Sequence, residues 1–444
     1  MTVARLPTPA AVPSVVSRSS VADRYLLVLC LILLGYAVDG RGFAYLFLGE
    51  IALAAGIVLV VAQRGWTAAF KVPQILLLLP FWAWGMMRTI PFYHDYHIDA
   101  VRDAMLWGYS AFAFIIAALT LAEPARLLTL LGRYRTFSHV FLALIPIVAI
   151  VYRFAWSALP HWPWANVPIV EEKEGDVLVH LAGILAFWIA GIDRKVHPVW
   201  MILLTINVAT MGVIDRAGLL AFAAATGVCA VYRPLHPMIW RLVAVFVAAA
   251  ILLWATDVHI QVPGGKGREI SFHQFVENIK SMGSDSGSEG LDSTKEWRME
   301  WWRTIARYTF HGPYFWTGKG FGVNLADDDG FQVLSDNSLR APHSAHMDFL
   351  AREGVPGLLL WIVLQLSWVI GLSRAYIDSY RNRDQRWQAV MLFLIALWLA
   401  FIINSSFDVF LEGPMGGIWF WTVFGVGCAA AWLYRHRPEV LYGT

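Results

Sequence analysis

Residues 387–404, WQAVMLFLIALWLAFIIN, form an uncharged stretch in which one glutamine and one asparagine are the only amide side chains. About 20 mostly apolar residues in a helix cross the hydrocarbon core of a bilayer, so this stretch predicts a membrane-spanning helix. The composition agrees, since 58% of the 444 residues are hydrophobic and only 15% are charged, against roughly 25% charged in soluble proteins. A soluble enzyme is excluded, and a net charge of +2 gives no support to a nucleic-acid partner.

Similar apolar stretches recur along the chain, and together they predict an all-α polytopic membrane protein with about 12 transmembrane helices. One large periplasmic loop is predicted between helices 9 and 10. The predicted divisions are a disordered cytoplasmic tail at 1–24, helices 1–9 within 25–256, the loop at 257–345, helices 10–12 within 346–434 and a cytoplasmic tail at 435–444. The predicted spans are about 25–38, 43–62, 73–88, 104–122, 138–156, 177–192, 198–214, 218–232, 241–256, 354–373, 387–404 and 416–434.

Basic residues in the short loops predict the orientation of the chain. One alternate set of segments contains eighteen Lys and Arg residues, whereas the opposite short loops contain five. Because basic segments stay in the cytoplasm, both termini are predicted to be cytoplasmic. The even number of predicted spans agrees, since it places both termini on one side of the membrane.

The large loop contains two segments of opposite character. Residues 281–294, SMGSDSGSEGLDST, are rich in Gly and Ser and predict a mobile lid. Residues 295–309, KEWRMEWWRTIARYT, predict a helix in which Trp297, Trp301 and Trp302 suit the membrane interface.

The segment APHSAHMDFLAREGVPGLLLW, at 341–361, carries the strongest functional signal, where the loop re-enters the membrane. His343 is predicted at the membrane–water boundary. An imidazole, with its unperturbed pKa of about 6.5, can act there as a base. On chemistry alone, an interfacial histidine bonded to a backbone carbonyl is the alternative.

This segment resembles the signature of the O-antigen ligase family. The signature reads His, then Asn, Ser or Gln, nine residues, Gly, two residues, and Gly, Thr or Tyr. The four constrained positions are filled by His343, Ser344, Gly354 and Gly357. The resemblance is best over residues 198–425. The signature lies directly after the largest loop, and this position strengthens the resemblance.

Two further stretches resemble the same family. GVIDRAGLLAF, at 212–222, is similar to an outer turn that carries an arginine, here Arg216. Asp215 stands where the family often has Ser, which predicts a lower local positive potential; a simple surface pair of Asp215 with Arg216 is the alternative. EWRMEWWRTIARY is similar to the family's Arg-x-x-Trp helix, with Arg298 and Trp301 on the two fixed positions.

The resemblance implies a metal-independent, inverting glycosyltransferase with no cofactor. The implied reaction transfers O-antigen glycan from undecaprenyl diphosphate to lipid A–core oligosaccharide in the periplasmic leaflet of a bacterial inner membrane. The planar guanidinium of arginine matches phosphate oxygens, so Arg216 and Arg298 are predicted to hold the diphosphate. His343 is predicted to be the general base.

Other polar residues near these motifs are candidates for additional donor or acceptor contacts. They are Lys319, which lies in a GKGFG turn that predicts a backbone anion nest, together with Arg340 and His346. The spacing of His343, His346 and Asp348 makes a zinc site an alternative interpretation. The chain has no HExxH motif and no evident further ligand, so no metal is expected.

Several alternatives stay open. An O-antigen or exopolysaccharide polymerase and a protein O-oligosaccharyltransferase would use the same donor chemistry. A lipid-glycan transporter is the rival from another class, and it predicts related halves and several ionisable groups inside the spans. No convincing repeat is present, and Glu50, Arg153 and His180 are the main ionisable residues in the predicted spans.

Overall fold

A computed structural model of the chain describes residues 20–165, 167–193, 195–233, 237–257, 259–261, 269–271 and 289–442. These residues are mainly helical, apart from a short antiparallel ladder between β1 (Ile260–Gln261) and β2 (Glu269–Ile270). The described helices are α1 Val21–Asp39, α2 Arg41–Ala44, α3 Leu48–Ala62, α4 Trp66–Ala69, α5 Pro73–Leu76, α6 Leu78–Tyr96, α7 Ile98–Gly108, α8 Ala111–Ala122, α9 Arg126–Ala155, α10 Glu174–Ile189, α11 Pro198–Gly212, α12 Arg216–Tyr232, α13 Pro237–Thr256, α14 Glu289–Phe310, α15 Leu325–Asp329, α16 Ala345–Arg381, α17 Gln385–Phe407 and α18 Pro414–His436, with 3-10 turns at Trp156–Ala158 and Pro438–Tyr442.

The helices have the length and composition of a multi-pass membrane protein. Six helical segments of the described chain are long and apolar enough to cross a bilayer, and α7 with α8, bent by 45°, would make a seventh. The six segments are Val21–Asp39, Pro73–Tyr96, Arg126–Ala155, Ala345–Arg381, Gln385–Phe407 and Pro414–His436. Each of the twelve predicted spans overlaps at least one described helix. The number twelve itself stays a prediction.

Helix α1 begins inside the predicted cytoplasmic tail. Ser20 and Asp23 form a capping box, in which the Ser20 hydroxyl accepts from the Asp23 amide at 3.2 Å and the Asp23 carboxylate accepts from the Ser20 amide at 3.0 Å. This pair satisfies two backbone donors at the helix start. The prediction of an irregular tail is therefore wrong for residues 21–24, and residues 1–19 lie outside the described residues.

The predicted tail at 435–444 is also largely ordered secondary structure. Helix α18 continues to His436, and a 3-10 turn follows at Pro438–Tyr442. The Arg386 guanidinium donates to the carbonyl of Leu441 at 2.7 Å, and Leu441 is buried. This packing keeps an apolar side chain out of water, and the cytoplasmic side of this tail stays a prediction.

Buried tryptophans dominate the packing around α16 and α18. Trp361 stacks on Phe349 with ring centroids 4.8 Å apart, and Trp368 donates its indole N–H to the carbonyl of Phe424 at 2.8 Å. Gly427 makes the contact between Trp368 and Phe424 possible, because a Cβ at position 427 would lie 2.3 Å from the Trp368 ring. This core fixes the start of α16, which carries the signature segment.

Helix α14 packs on α16 through a smaller apolar cluster. Trp301 and Ile305 are fully buried against Leu350 and Ala351, and Trp301 stacks on Phe331 with centroids 5.5 Å apart. The sequence prediction of Trp301 as a membrane-interface side chain is wrong. Burial between two helices removes more of this ring from water than a position at a lipid surface would.

Helix α14 also begins earlier than predicted, at Glu289 instead of residue 295. The predicted lid at 281–294 is therefore helical over its last six residues. Residues 281–288 lie outside the described residues.

Candidate functional site

His343 lies just before α16, in a backbone conformation that the surrounding structure enforces. Its φ is +52°, a left-handed conformation that costs on the order of 1–3 kcal/mol for a residue with a side chain. Ser344 caps α16, and the Trp302 indole donates to the carbonyl of Pro342 at 2.7 Å. Contacts on both sides thus hold the strained histidine in place.

The imidazole of His343 faces the carboxylate of Asp408. Nδ1 lies 3.7 Å from Asp408 Oδ1, which is too long for a hydrogen bond, and this buried nitrogen has no hydrogen-bond partner among the described residues. The Trp297 ring approaches edge-on, with centroids 6.2 Å apart. The His343 side chain is 27% exposed, so a ligand can reach it.

Asp408 follows the last residue of α17 and is held from several directions. Its Oδ2 lies 2.7 Å from Lys173 Nζ, and its Oδ1 accepts from the Val409 amide at 2.8 Å. Burial by itself would raise the pKa of the Asp408 carboxyl, but Lys173 and His343 together hold that pKa well below its usual range. The carboxylate is therefore ionised and oriented toward His343.

Arg298, on α14, reaches the same turn as His343. Its Nη1 donates to the carbonyl of Phe407 at 2.7 Å, while its buried Nε has no hydrogen-bond partner among the described residues. Burial lowers the pKa of Arg298, and the charges of Asp408 and Asp215 act in the opposite direction. We call His343, Asp408, Lys173 and Arg298 the His343 cluster. The cluster joins α14, the start of α16, the end of α17 and the start of α10.

Arg216 is the first residue of α12, and Asp215 is its N-cap. The Asp215 carboxylate accepts from the Gly218 amide at 2.6 Å, so Asp here performs the capping role that Ser also performs. The Asp215 charge acts on both Arg298 and Lys173, which places the start of α12 beside the His343 cluster. The structure thus brings His343 and Arg298 to one turn and the start of α12, with Arg216, next to them.

The signature glycines occupy a break in α16. Gly354 has φ +69° and ψ −170°, and a Cβ there would lie 2.6 Å from the carbonyl oxygen of Phe315. Gly357 packs against Glu353, whose Cβ would be 2.2 Å from an added Cβ. Both positions therefore need glycine for close packing, and the break turns the start of α16 toward the loop.

The GKGFG turn fills this break instead of forming the predicted anion nest. The amide of Lys319 donates to the carbonyl of Ala351 at 2.7 Å, and the amide of Gly320 donates to that of Arg352 at 2.9 Å. The nest prediction is wrong for these two amides, because a broken helix leaves carbonyls that need donors.

Lys319 is paired inside the loop. Its ammonium contacts the carboxylates of Asp328 and Asp329 and lies 4.3 Å from the centre of the Tyr308 ring. The side chain is only 9% exposed. These contacts hold Lys319 within the loop, and its expected donor or acceptor contact stays a prediction.

Arg340 belongs to a second set of charges, and its expected donor or acceptor contact stays a prediction. Its Nη2 lies 2.9 Å from Asp103 and 2.7 Å from the carbonyl oxygen of Gly322. Arg352, which is 2% exposed, also contacts Asp103 at 3.1 Å, and its Nε donates to the Asp348 carboxylate at 2.8 Å. We call Arg352, Asp348, Asp103 and Arg340 the Arg352 network. It anchors the loop and α16 to α7.

His346 contacts a tryptophan and a serine of the protein, and its expected donor or acceptor contact stays a prediction. Its Nδ1 lies 3.1 Å from the indole nitrogen of Trp361, and its Nε2 lies 2.9 Å from the hydroxyl of Ser406. An indole N–H only donates, so Nδ1 must accept and Nε2 must carry the proton. Both ring nitrogens are therefore used within the protein.

The three candidate zinc ligands do not converge on one point. His343 faces Asp408, His346 lies between Trp361 and Ser406, and Asp348 pairs with Arg352. Among the residues that the structure describes, no group of three or more His, Cys, Asp or Glu side chains is arranged to hold a metal ion.

Sequence analysis does not single out Asp408 and Lys173, although both touch the site. Asp408 closely follows the uncharged span at 387–404 and, under the predicted topology, lies on the same side of the membrane as His343. An acidic residue at that place was an available signal. Lys173 offers none, since its partner is far away in the chain and only the fold brings the two together.

Comparison with protein families agrees with this part of the chain. The family model described as O-Antigen ligase matches residues 199–362, which include Arg216, Arg298 and His343. No curated protein matches the chain.

Proposed function

Since residues 199–362 belong to the O-antigen ligase family of ligase- and polymerase-type glycosyltransferases, we propose that the chain transfers O-antigen glycan from undecaprenyl diphosphate to lipid A–core oligosaccharide. The reaction is inverting and metal-independent. His343 is the general base, and Arg216 with Arg298 holds the diphosphate. The active site faces the periplasm from a bacterial inner membrane, and both chain termini are cytoplasmic.

The observation that carries this proposal is the meeting of His343 and Arg298 at one turn. His343 Nδ1 faces Asp408 at 3.7 Å, and Arg298 Nη1 binds the neighbouring carbonyl of Phe407 at 2.7 Å. The candidate base and the candidate phosphate-binding cation thus contact two consecutive residues, in a protein with six described helical segments that are long and apolar enough to cross a bilayer.

The Asp408 carboxylate favours the tautomer of His343 with its proton on Nδ1, which leaves Nε2 to accept a proton. When the acceptor hydroxyl attacks, its proton passes to Nε2 and the imidazole becomes positively charged. Asp408 then stabilises this charge. The approach from 3.7 Å to hydrogen-bond distance is expected when substrates bind, as catalytic contacts are often long without them.

The bond changes are a single displacement at the anomeric carbon. A bond forms between the acceptor oxygen and this carbon, and the bond from the carbon to the diphosphate oxygen breaks. The leaving undecaprenyl diphosphate keeps the electron pair, and its growing negative charge is stabilised by Arg298 and Arg216. Arg298 has an unpaired Nε in the described structure, which supports its role in binding an anion.

An in vitro transfer assay tests the proposal. Purified protein in detergent is given undecaprenyl-diphosphate glycan and rough lipopolysaccharide in the presence of EDTA, and the products are separated on a gel. We expect a ladder shifted onto lipopolysaccharide. His343→Ala should lower transfer by roughly 10²–10⁴-fold, because proton transfer by a positioned side chain supplies an acceleration of that size.

His311→Ala is the matched control, since His311 is an exposed histidine of the same loop. Near-normal transfer by His343→Ala at equal expression would overturn the role of the base. Longer lipid-linked glycans without modified lipopolysaccharide would identify a polymerase, and glycan on a protein acceptor a protein O-oligosaccharyltransferase. Movement of the donor across vesicles without a new glycosidic bond would identify a transporter.

A further inference from the structure

Lys173 connects the start of α10 to the end of α17. Its ammonium lies 2.7 Å from Asp408 Oδ2, donates to the carbonyl of Val409 at 2.8 Å and lies 3.8 Å from Asp176. Asp176 in turn accepts from the side-chain amide of Asn404, on α17, at 3.2 Å. The contact with Asp408 is therefore one of several between these two helices.

These contacts use most of the donor capacity of Lys173. Of its three N–H donors, one is directed to Asp408 and one to the carbonyl of Val409 at hydrogen-bond distance, and the carboxylate of Asp176 lies 3.8 Å from the same ammonium. A lysine that binds a substrate phosphate would instead keep donors directed to the ligand. Lys173 is thus suited to position another residue, and Asp408 is the residue that it contacts at the shortest distance.

We propose that Lys173 is a positioning residue that holds Asp408 beside His343 and shares its negative charge, which weakens the attraction of Asp408 for a proton on the imidazole. This inference rests on the proposed function of His343 as the base. Asp408 can stabilise the imidazolium that forms during the reaction. Without another cation beside it, Asp408 would also favour the imidazolium before the reaction, and a protonated imidazole cannot act as a base.

The charges around the site give the direction of the effect. Asp408 is faced by Lys173 and Asp176 from the start of α10, and the charge of Asp215, at the start of α12, acts on both of these residues. Arg298 adds a positive charge from α14. Removal of Lys173 takes away the cation that contacts Asp408 at 2.7 Å, which strengthens the attraction of this carboxylate for a proton on His343.

The test is the pH dependence of transfer by Lys173→Met. Because the neutral form of His343 then requires a lower proton concentration, the acid limb of the pH–rate profile should move to higher pH by roughly one unit. Transfer at pH 7 should fall by up to about tenfold, and most of it should return at higher pH. Lys173→Arg should stay close to the unmodified protein, since it keeps the positive charge. Lys71→Met, at an exposed lysine, is the control.

Asp408→Asn is the second variant and has the opposite expected sign. Loss of the carboxylate disfavours the protonated imidazole, so the acid limb should move to lower pH while the maximal rate falls. This variant gives a result even if Lys173→Met does not fold. A loss of transfer by Lys173→Met that is equal at every pH, or no displacement of the profile, would overturn the proposal and leave His343 as the base.

A second measurement separates this inference from the reaction itself. Diethyl pyrocarbonate modifies neutral histidine, and the modified His343 peptide can be quantified by mass spectrometry across the pH range. The midpoint for His343 should lie at higher pH in Lys173→Met than in the unmodified protein. If the unmodified protein shows no transfer, the proposed function fails, whereas an unchanged midpoint overturns the role of Lys173 alone.

Discussion

The His343 cluster and the Arg352 network both hold charged residues near the start of α16, but they satisfy them differently. In the Arg352 network, the guanidinium of Arg352 contacts Asp348 at 2.8 Å, Asp103 at 3.1 Å and the carbonyl of Val323 at 3.1 Å. In the His343 cluster, His343 Nδ1 and Arg298 Nε are buried without a hydrogen-bond partner among the described residues.

This difference separates the charges that hold the fold from those that remain available to a ligand. A buried donor without a partner costs free energy, and an anion bound at Arg298 Nε would recover it. The Nδ1 of His343 has Asp408 as its nearest acceptor, whereas the donors of Arg352 are already used within the protein. In the Arg352 network, Asp348 Oδ2 is also without a hydrogen-bond partner among the described residues, so the contrast is between the two arginines.

The largest expected effect lies in the Arg352 network. Arg352→Ala leaves Asp103 and Asp348 buried without their main cation, which should lower the free energy of unfolding by about 3–5 kcal/mol. Thermal unfolding in detergent and the yield of monodisperse protein measure this loss. Arg374→Ala, at an exposed arginine of the same helix, is the control and should unfold normally. A normal unfolding temperature for Arg352→Ala would remove the contrast between the two regions.

The next largest effect is expected for Arg298→Ala, and it should be on transfer and not on stability. Loss of a cation that meets charge in the transition state lowers the rate by roughly 10²–10³-fold. Arg298→Lys should restore only part of the rate, because an ammonium lacks the planar fork of a guanidinium. Arg303→Ala, at an exposed arginine of α14, is the control. Equal losses in Arg298→Ala and Arg303→Ala would contradict a specific role for Arg298.

The smallest expected effect is that of Lys319→Met, and it sharpens the comparison of paired with unpaired charges. The variant loses charge-assisted contacts to Asp328 and Asp329, which should lower the free energy of unfolding by about 1.5–3 kcal/mol. The KM for the lipid-linked donor should not change in the folded fraction. Steady-state kinetics over a donor series measure it. A large rise in KM without loss of stability would return Lys319 to the donor site.

Part of the candidate site follows from local sequence. His343, Ser344, Gly354 and Gly357 are recognisable because they lie within fifteen residues of one another, at a spacing that a helix start and its break require. The capping role of Asp215 is also local, since its acceptor group and the Gly218 amide are three residues apart.

The partners of the other charged residues are not local. Arg340 and Asp103 are 237 positions apart, and no pattern in either segment indicates the contact. Lys319 and Arg340 therefore look like candidate ligand contacts in the sequence, and only the fold shows that each is paired with an aspartate. Trp301 is a similar case. Its sequence context suits a membrane interface, whereas the fold buries its ring against Phe331.

The sequence by itself determined that the chain is a helical membrane protein, because hydropathy over some 20 residues depends only on the residues in that window. It also determined the signature histidine and the arginines that accompany it. The tertiary structure alone decided which of these charges are already neutralised. Pairing depends on distances between helices that are far apart in the chain, and Lys173 with Asp408 shows that a 2.7 Å contact of this kind leaves no trace in either local sequence.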